Sequence, residues 1–522
     1  MLTTTRASAR TPTEAPAMRL RRLLPPLLLG AALAGCTDLN LTNPNALSSG
    51  NFWRTQNDAL QGINATYNGL MNNGTYGRWL VFATDLRADD GRIQSPWTDL
   101  SNFTKFSFTS YDFEVNRELW IHHYQALFRA NQVIARVPSI NMDATLRDRI
   151  VGEAKFIRAL LYFNLVNLYG NVPLITAPPV PTDRPASATP AQIYAQIEQD
   201  LNDAIGVLPV SYTGADVGRA TKGAAQALLG KALAQQAAIA QPKWAEAATM
   251  LGQVISSGQY QLMQPVTGDS LSGYAANFVG LPSKENNAES IFEVQFGDRS
   301  TLANGVRGLN IARMVGPCGP SYCDGRPTRW FFNQFFPDTT NRTVYDPRLD
   351  YTMYWNRPGG MAVYNIDYQT RYPGSDEVYW KKWGEYYLGA TDQDWDAAIN
   401  FRVIRYADVL LLHAEALNEA SGPSTQVYDD VNQVRRRVGL ADLPAGLSQA
   451  QMRDAIMHER LLELGLEGQR MLDLARHDMV HKAILEPHDA EFQFFRDETL
   501  GLLPIPQTEI DLNPNVRQNP GW

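Results

Sequence analysis

The chain has 522 residues, 44% hydrophobic and 19% charged, the balance of an ordinary folded protein rather than of a disordered or polytopic membrane chain. Its length allows two or three domains, or one large helical body. Acidic residues outnumber basic ones by 54 to 46, which argues against a nucleic-acid surface. Without residues 1–35, which hold five Arg and one Glu, the net charge is −12, a balance that suits a neutral or cationic ligand.

In chain order, the first signal is an address. Arg19, Arg21 and Arg22 precede an apolar run from Leu23 that ends in Leu33-Ala34-Gly35-Cys36. The run is shorter than the roughly 20 residues a membrane span needs, and its order is that of a signal peptide. Leu-Ala-Gly-Cys looks like the lipobox of a bacterial lipoprotein. Residues 1–35 are therefore the expected signal peptide, with Cys36 the lipidation site. Residues 1–17 lack this organisation, which makes Met18 an alternative start. Residues 36–52 are polar and read as a tether. With Cys36 lipidated, Cys318 and Cys323 remain in GPCGPSYCDG, and outside the cytoplasm a small-loop disulfide is favoured. A metal site there would need further ligands, which the neighbouring sequence does not supply.

The spacing predicts a helix over 57–71 with Asn57 as its cap, and then loops over 72–116 with a scatter of Trp79, Asp85, Asp89, Asp90, Arg92, Trp97 and Asn102. A second helix over 116–137 carries Trp120, Tyr124, Leu127, Phe128, Asn131 and Ile134 at helical spacing. Val151–Ile175 is the strongest element. Ile157, Leu161 and Leu165 make one apolar face and Phe156, Leu160 and Phe163 a second, so neighbours should clasp this helix from two sides. Gly170 and Pro173 end it. Residues 173–190 read as extended, and helices follow over 190–207, 219–240 (Ala-rich) and 243–257. From 258 to 400 Gly, Pro and aromatics dominate, and only Ser290–Phe296 alternates like a strand. Helical periodicity returns over 401–420, 425–438 and 448–476. Residues 477–522 hold too much Pro and Asn for a regular element. No 34-residue self-similarity marks a repeat array.

The sequence shows no P-loop, no GxSxG and no HExxH. His122 and His123 are adjacent, so they point to different helix faces and make a poor chelate. His458-Glu459 has no second His one turn on. Asp85, Asp89 and Asp90 could flank a sugar, the remote reading of a secreted glycoside hydrolase. More distinctive are the thirteen Tyr or Trp between Tyr345 and Trp395. Such rings pack an insert that has few aliphatic residues. As a group they also suit a platform for the apolar face of a pyranose.

Six blocks then occur in an order that resembles the SusD/RagB family of surface lipoproteins. They are Cys36 with Asp38-Leu39-Asn40 and Asn43-Pro44-Asn45; Trp120, Tyr124 and Asn131; GEAKFIRALLYFNLVNLYGNVPLI; FRVIRYADVLLLHAEALNEASG with VNQVRRRVGL; ERLLELGLEGQRMLDLARH; and PIPQTEIDLNPNVRQNPGW. The resemblance implies a mostly α fold of four tetratricopeptide-like helix pairs with a long loop-rich insert. It would be a single domain over 53–522, with the scaffold over 53–257 and 401–476, the insert over 258–400 and an irregular end over 477–522. It further implies a non-catalytic, cofactor-free outer-membrane lipoprotein. Such a protein binds oligosaccharides, or alternatively oligopeptides, and lies over a SusC-like TonB-dependent transporter that imports them. Arg405, Asp408, Glu415, Asn418, Glu459, Glu463, Glu467 and Arg470 read as structural or transporter-facing. By position, Trp97, Tyr322 and Trp330 are the expected stacking rings, with Asn102 and Arg92 bonding to sugar hydroxyls.

Overall fold

Thr55 starts the first helix. Its hydroxyl accepts from the Asp58 amide at 3.2 Å while the Asp58 carboxylate takes the Thr55 amide at 2.8 Å, a reciprocal cap for α1 (Gln56–Asn68). The expected cap, Asn57, lies inside the first turn instead. The computed structural model describes residues 52–522 apart from 181, 298–306 and 390–392, so Cys36 and the expected signal peptide lie outside the described residues.

The segment 72–116 holds more regular structure than its composition suggests. A π-type turn over 73–77 leads into α2 (Trp79–Thr84), a short strand β1 (Gly91–Ile93) and α3 (Thr98–Thr104). Helices this short are not stable by themselves. Here Leu80, Val81, Phe82, Leu100 and Phe103 are buried, so tertiary packing supplies what local propensity lacks.

α4 (Glu114–Arg136) precedes α5 (Ala144–Tyr169), which begins well before Val151 because Asp143 caps it, accepting from the Leu146 amide at 2.8 Å. Both apolar faces of α5 are covered, with Ile157, Leu161 and Leu165 on one and Phe156, Leu160 and Phe163 on the other all buried. Gly170 then turns the chain at φ +65°, a conformation that suits a residue without Cβ. The extended passage pairs β2 (Val172–Pro173) with β3 (Ser187–Ala188) before α6 (Pro190–Val207), α7 (Lys222–Gln235) and α8 (Trp244–Ser256).

The insert is a set of short pieces. In order they are β4 (Ser290–Val294), α9 (Ile311–Val315), β5 (Gly325–Pro327), α10 (Arg329–Gln334), α11 (Leu349–Thr352) and β6 (Met353–Tyr354). There follow β7 (Ala362–Val363), β8 (Ile366–Asp367), α12 (Tyr368–Arg371) and β9 (Tyr379–Trp380). Most of its rings are core: Tyr354, Trp355, Tyr364, Tyr368, Trp380 and Trp383 are all buried.

Two helical expectations fail at their ends. Phe401–Arg405 is a strand, β10, and only Tyr406–Ser421 is helical (α13). β10 runs antiparallel to β4, a partner far upstream that local periodicity cannot reveal, and all five of its residues are buried. The stretch 448–476 divides into α15 (Gln449–Leu464) and α16 (Arg470–Arg476), following α14 (Thr425–Arg437). Between them the freed carbonyls of Gly465 and Leu466 are taken by Lys382 Nζ at 2.8 Å and Trp383 Nε1 at 2.9 Å. At the C-terminal end α17 (Lys482–Leu485) and α18 (Gln507–Leu512) interrupt what composition marks as irregular.

The long helices pack in series: α1 on α4, α4 on α5, α5 on α6, α6 on α7, α7 on α8, α8 on α13, and α13 on α14 and α15. The helices that would form the four pairs, α1 with α4, α5 with α6, α7 with α8 and α13 with α14, are each in contact, and the fold is mostly helical. Among the described residues no helix is long and apolar enough to cross a membrane.

Candidate functional site

The first loop and the insert meet in one antiparallel ladder. β1 pairs with β5, Arg92 opposite Arg326, and the pairing extends through the Gln94 amide to the Asp324 carbonyl at 2.6 Å and the Thr328 amide to the Asp90 carbonyl at 3.0 Å. The ladder fixes two loops beside each other, one carrying Trp97 and the other Tyr322. Cys318 and Cys323 are disulfide-bonded at the base of the second loop, and the Tyr372 hydroxyl donates to the Cys318 carbonyl at 2.5 Å.

A string of rings and guanidinium groups connects these loops. Trp97 meets Trp79 edge-on at 6.2 Å, and the Arg78 guanidinium lies 4.8 Å from the Trp79 ring and 5.0 Å from the Trp395 ring. Trp395 meets Tyr322 edge-on at 5.5 Å, and Arg313 closes the series 4.8 Å over Tyr322. Trp79 is buried, whereas Trp97, Arg78 and Trp395 are partly exposed and Tyr322 is 50% exposed. Polar groups lock the frame from behind. Trp79 Nε1 donates to Glu118 at 2.7 Å, Arg78 Nη2 to Asn310 Oδ1 at 3.2 Å, and Asn310 Nδ2 to the Trp395 carbonyl. Arg313 Nη1 donates to the carbonyls of Pro320 at 3.0 Å and Gln393 at 2.6 Å.

Gly74 explains how Arg78 and Trp79 reach α4. A Cβ on Gly74 would lie 1.9 Å from the Glu118 carbonyl oxygen, so only glycine lets the π-type turn press onto α4 at this depth. The turn then delivers Trp79 to the carboxylate of the same Glu118.

The expected site residues divide between two corners. Trp97 and Tyr322 belong to the string, and Asn102 lies half-buried on α3, the helix that starts just after Trp97. Trp330, on α10, instead stacks flat on His488 at 3.8 Å, with the Arg470 guanidinium 5.9 Å from its ring. Arg92 reaches the same corner through an ion pair with Asp489 at 3.7 Å. Trp330 also lines a groove of about 690 Å³ with Trp244 and His477. Arg78 and Trp395, which join the string, were not singled out by sequence. Their signal is only tertiary, since they come from the first loop and the far end of the insert.

Asp85, Asp89 and Asp90 cannot flank a sugar, because all three are fully buried. Asp85 accepts from the Gly468 amide at 2.5 Å and the Arg470 amide at 3.2 Å, and burial pushes its carboxyl up to about 7. Burial opposes charge on Asp89 too, yet Arg470, at 2.6 Å, and His488 hold it down to about 2. Burial and the neighbouring Asp85 and Asp89 carboxylates raise Asp90 well above the usual carboxylate range. These groups staple the first loop to the segment before α16.

The signature charges are likewise interior. Arg405 bonds Glu289 at 2.8 Å, Glu463 at 2.5 Å and Glu467 at 2.6 Å, and Arg348 bonds Glu459 at 2.7 Å and Glu463 at 2.9 Å. Arg460 joins Asp408 to Asp473, each at 2.9 Å, and Arg476 bonds Glu415 at 2.8 Å. Asn418 donates to the Gln449 carbonyl at 3.0 Å. All are buried, so they hold helices together and do not face a partner.

A series of stacked helices, with one irregular insert folded back onto the first loop, defines an α-helical scaffold with a loop-built face. The chain belongs to the SusD family. The SusD family model matches residues 288–522, and a second model, described as starch-binding associating with outer membrane, matches residues 47–233. SusD-like protein P2 of Formosa agariphila is 27% identical over 95% of this chain and 98% of its own length. Among solved structures, a laminarin-binding SusD-like protein is 28% identical with a TM-score of 0.71, covering 90% of this chain and all 100% of its own. A SusD superfamily protein of Bacteroides vulgatus has a TM-score of 0.78 at 24% identity over 90% of this chain and 100% of its own, a likeness of fold alone.

Proposed function

We propose that this protein is a non-catalytic outer-membrane lipoprotein that binds oligosaccharides at its loop-built face and hands them to a SusC-like TonB-dependent transporter. The observation that carries this reading is the string from Trp97 to Tyr322. It offers ring faces and edges at the surface, with guanidinium groups between them. A sugar has an apolar face to stack and hydroxyls that need partners once water is displaced, and this combination supplies both. Trp97, Trp395 and Tyr322 are the proposed stacking groups, and Asn102 and Arg78 the proposed hydrogen-bond donors. The family's association with the outer membrane and the laminarin-binding relative support the ligand class. The lipobox-like Leu33-Ala34-Gly35-Cys36 supports the anchor, and family resemblance the transporter.

The test is calorimetric titration against a panel of β- and α-glucan oligosaccharides and oligopeptides. Binding to a glycan is expected, with Trp395→Ala about tenfold weaker, since one stacked ring is worth roughly 1–2 kcal/mol. Binding of peptides but no glycan would replace this reading with the oligopeptide one. Metabolic labelling with an alkyne fatty acid checks the anchor, and a Cys36→Ala chain that still takes label would overturn it.

A further inference from the structure

Arg87 is a buried cation that the ion-pair networks described above do not take up. Its side chain is 1% exposed, and its guanidinium is held against the rings of Phe103 at 5.0 Å and Phe106 at 4.4 Å. Among the described residues it makes one long hydrogen bond, from Nη1 to the Gly501 carbonyl at 3.4 Å, and Nε and Nη2 have no partner there. No carboxylate of the described residues makes an ion pair with it, in contrast to the buried Arg348, Arg405, Arg460 and Arg476. Burial lowers its pKa to about 9, still above neutrality, so it stays charged at pH 7.

An unpaired buried charge costs several kcal/mol unless something neutralises or solvates it. Arg87 and Gly501 both line a cavity of about 50 Å³ among α2, α5, α7, β10 and α16. That is room for one small ion or a few waters. Its lining is mostly apolar, including Leu80, Val81, Leu160, Phe163 and Phe401, with Asn164 and Asn167 among the polar residues. Two other charges reach it, and both are already matched: Lys231 by Asp408 and by Gln469 at 2.7 Å, and Glu467 by Lys382 at 2.7 Å and Arg405 at 2.6 Å. The charge without a counterpart is therefore that of Arg87.

We infer that this cavity is an anion site in which the Arg87 guanidinium holds a small monovalent anion of the halide class. A halide suits it because the space is small, the walls are apolar and one positive charge is unmatched. A divalent oxyanion would bring more charge than the cavity can neutralise and more oxygens than it can bond. The site lies directly behind α2, so its occupant braces the helix that presents Trp79. It is independent of the glycan reading, because no ring of the surface string lines it.

Bromide soaked into crystals of the wild-type protein tests this directly, by an anomalous difference peak in contact with the Arg87 guanidinium. In solution, the melting temperature is followed as chloride replaces a bulky organic anion at constant ionic strength. The expected result is a rise with the logarithm of chloride in the wild type and none in Arg87→Met. In halide-free buffer Arg87→Met should melt no lower than the wild type, because it removes an unpaired buried charge and keeps most of the volume. Water without an anomalous peak at Arg87, or a chloride dependence that survives in Arg87→Met, overturns the site.

Discussion

Beneath α13, α14 and α15, Arg348, Arg405 and Arg437 are buried against Glu289, Glu459, Glu463 and Glu467, whereas at the loop-built face Arg78 and Arg313 lie on the rings of Trp79, Trp395 and Tyr322. The same side chain serves two ends. In the interior, water is gone and a guanidinium is tolerated only where carboxylates surround it, so each charge is fixed by several partners at once. At the surface, a guanidinium can keep part of its hydration and spread over an aromatic face. The first arrangement ties helices together. The second leaves ring surface and donors within reach of a ligand.

The largest effect expected from this contrast is at Glu463. It accepts from Arg405, Arg348 and Arg437, and although burial opposes its charge, those three cations hold its carboxyl well below the usual range. Glu463→Gln leaves three buried cations short of a counter-charge and should cost about 3–5 kcal/mol in urea-unfolding stability. A loss under about 1 kcal/mol would mean that the interior network is not what fixes these helices.

A smaller effect concerns pH. Asp85 is raised to about 7 from the ordinary 3.8, chiefly by burial, so the folded state binds its proton more tightly than the unfolded state does. Its contribution is complete below about pH 4 and is lost as pH rises through about 7. Asp89, held at about 2, works the other way, losing its contribution as pH falls from about 4 towards 2. Between pH 5 and 8 the slope therefore belongs to groups like Asp85. Asp85→Asn should flatten the decline of stability over that range, whatever its absolute cost. An unchanged slope, measured by urea midpoints at each pH, would remove Asp85 as the cause.

Much of this molecule can be read before any coordinates, for reasons that particular residues make plain. Pro190 and Val207 bound their helix as expected, because capping and periodicity are local signals. Phe401–Arg405 misleads because its five buried residues suit either a helix or a strand, and only β4 decides. Leu464 ends α15 because Lys382 and Trp383 take the next carbonyls, a contact from another part of the chain. The candidate site follows the same rule. Trp97 and Tyr322 could be picked by their positions in irregular segments. Arg78 and Trp395 could not, since their meaning is their contact with each other.

The smallest effect expected is at the corner where Arg92 and Trp330 converge. Arg92 is about a third exposed and its pair with Asp489 is long, at 3.7 Å, so Arg92→Ala should change stability by less than about 1 kcal/mol. If the ligand lies only along the Trp97–Tyr322 string, glycan affinity should also stay within about twofold of wild type, a difference of roughly 0.4 kcal/mol. Trp330 sharpens the comparison because its ring already has His488 stacked at 3.8 Å on one face. Trp330→Ala removes that stack and should lower the melting temperature while sparing affinity, the reverse of Trp395→Ala. Titration and melting of both variants read the two quantities separately. A tenfold loss of affinity in Arg92→Ala or Trp330→Ala would carry the binding surface across β1 to residues 488–489, because a sugar would then have to touch both corners at once.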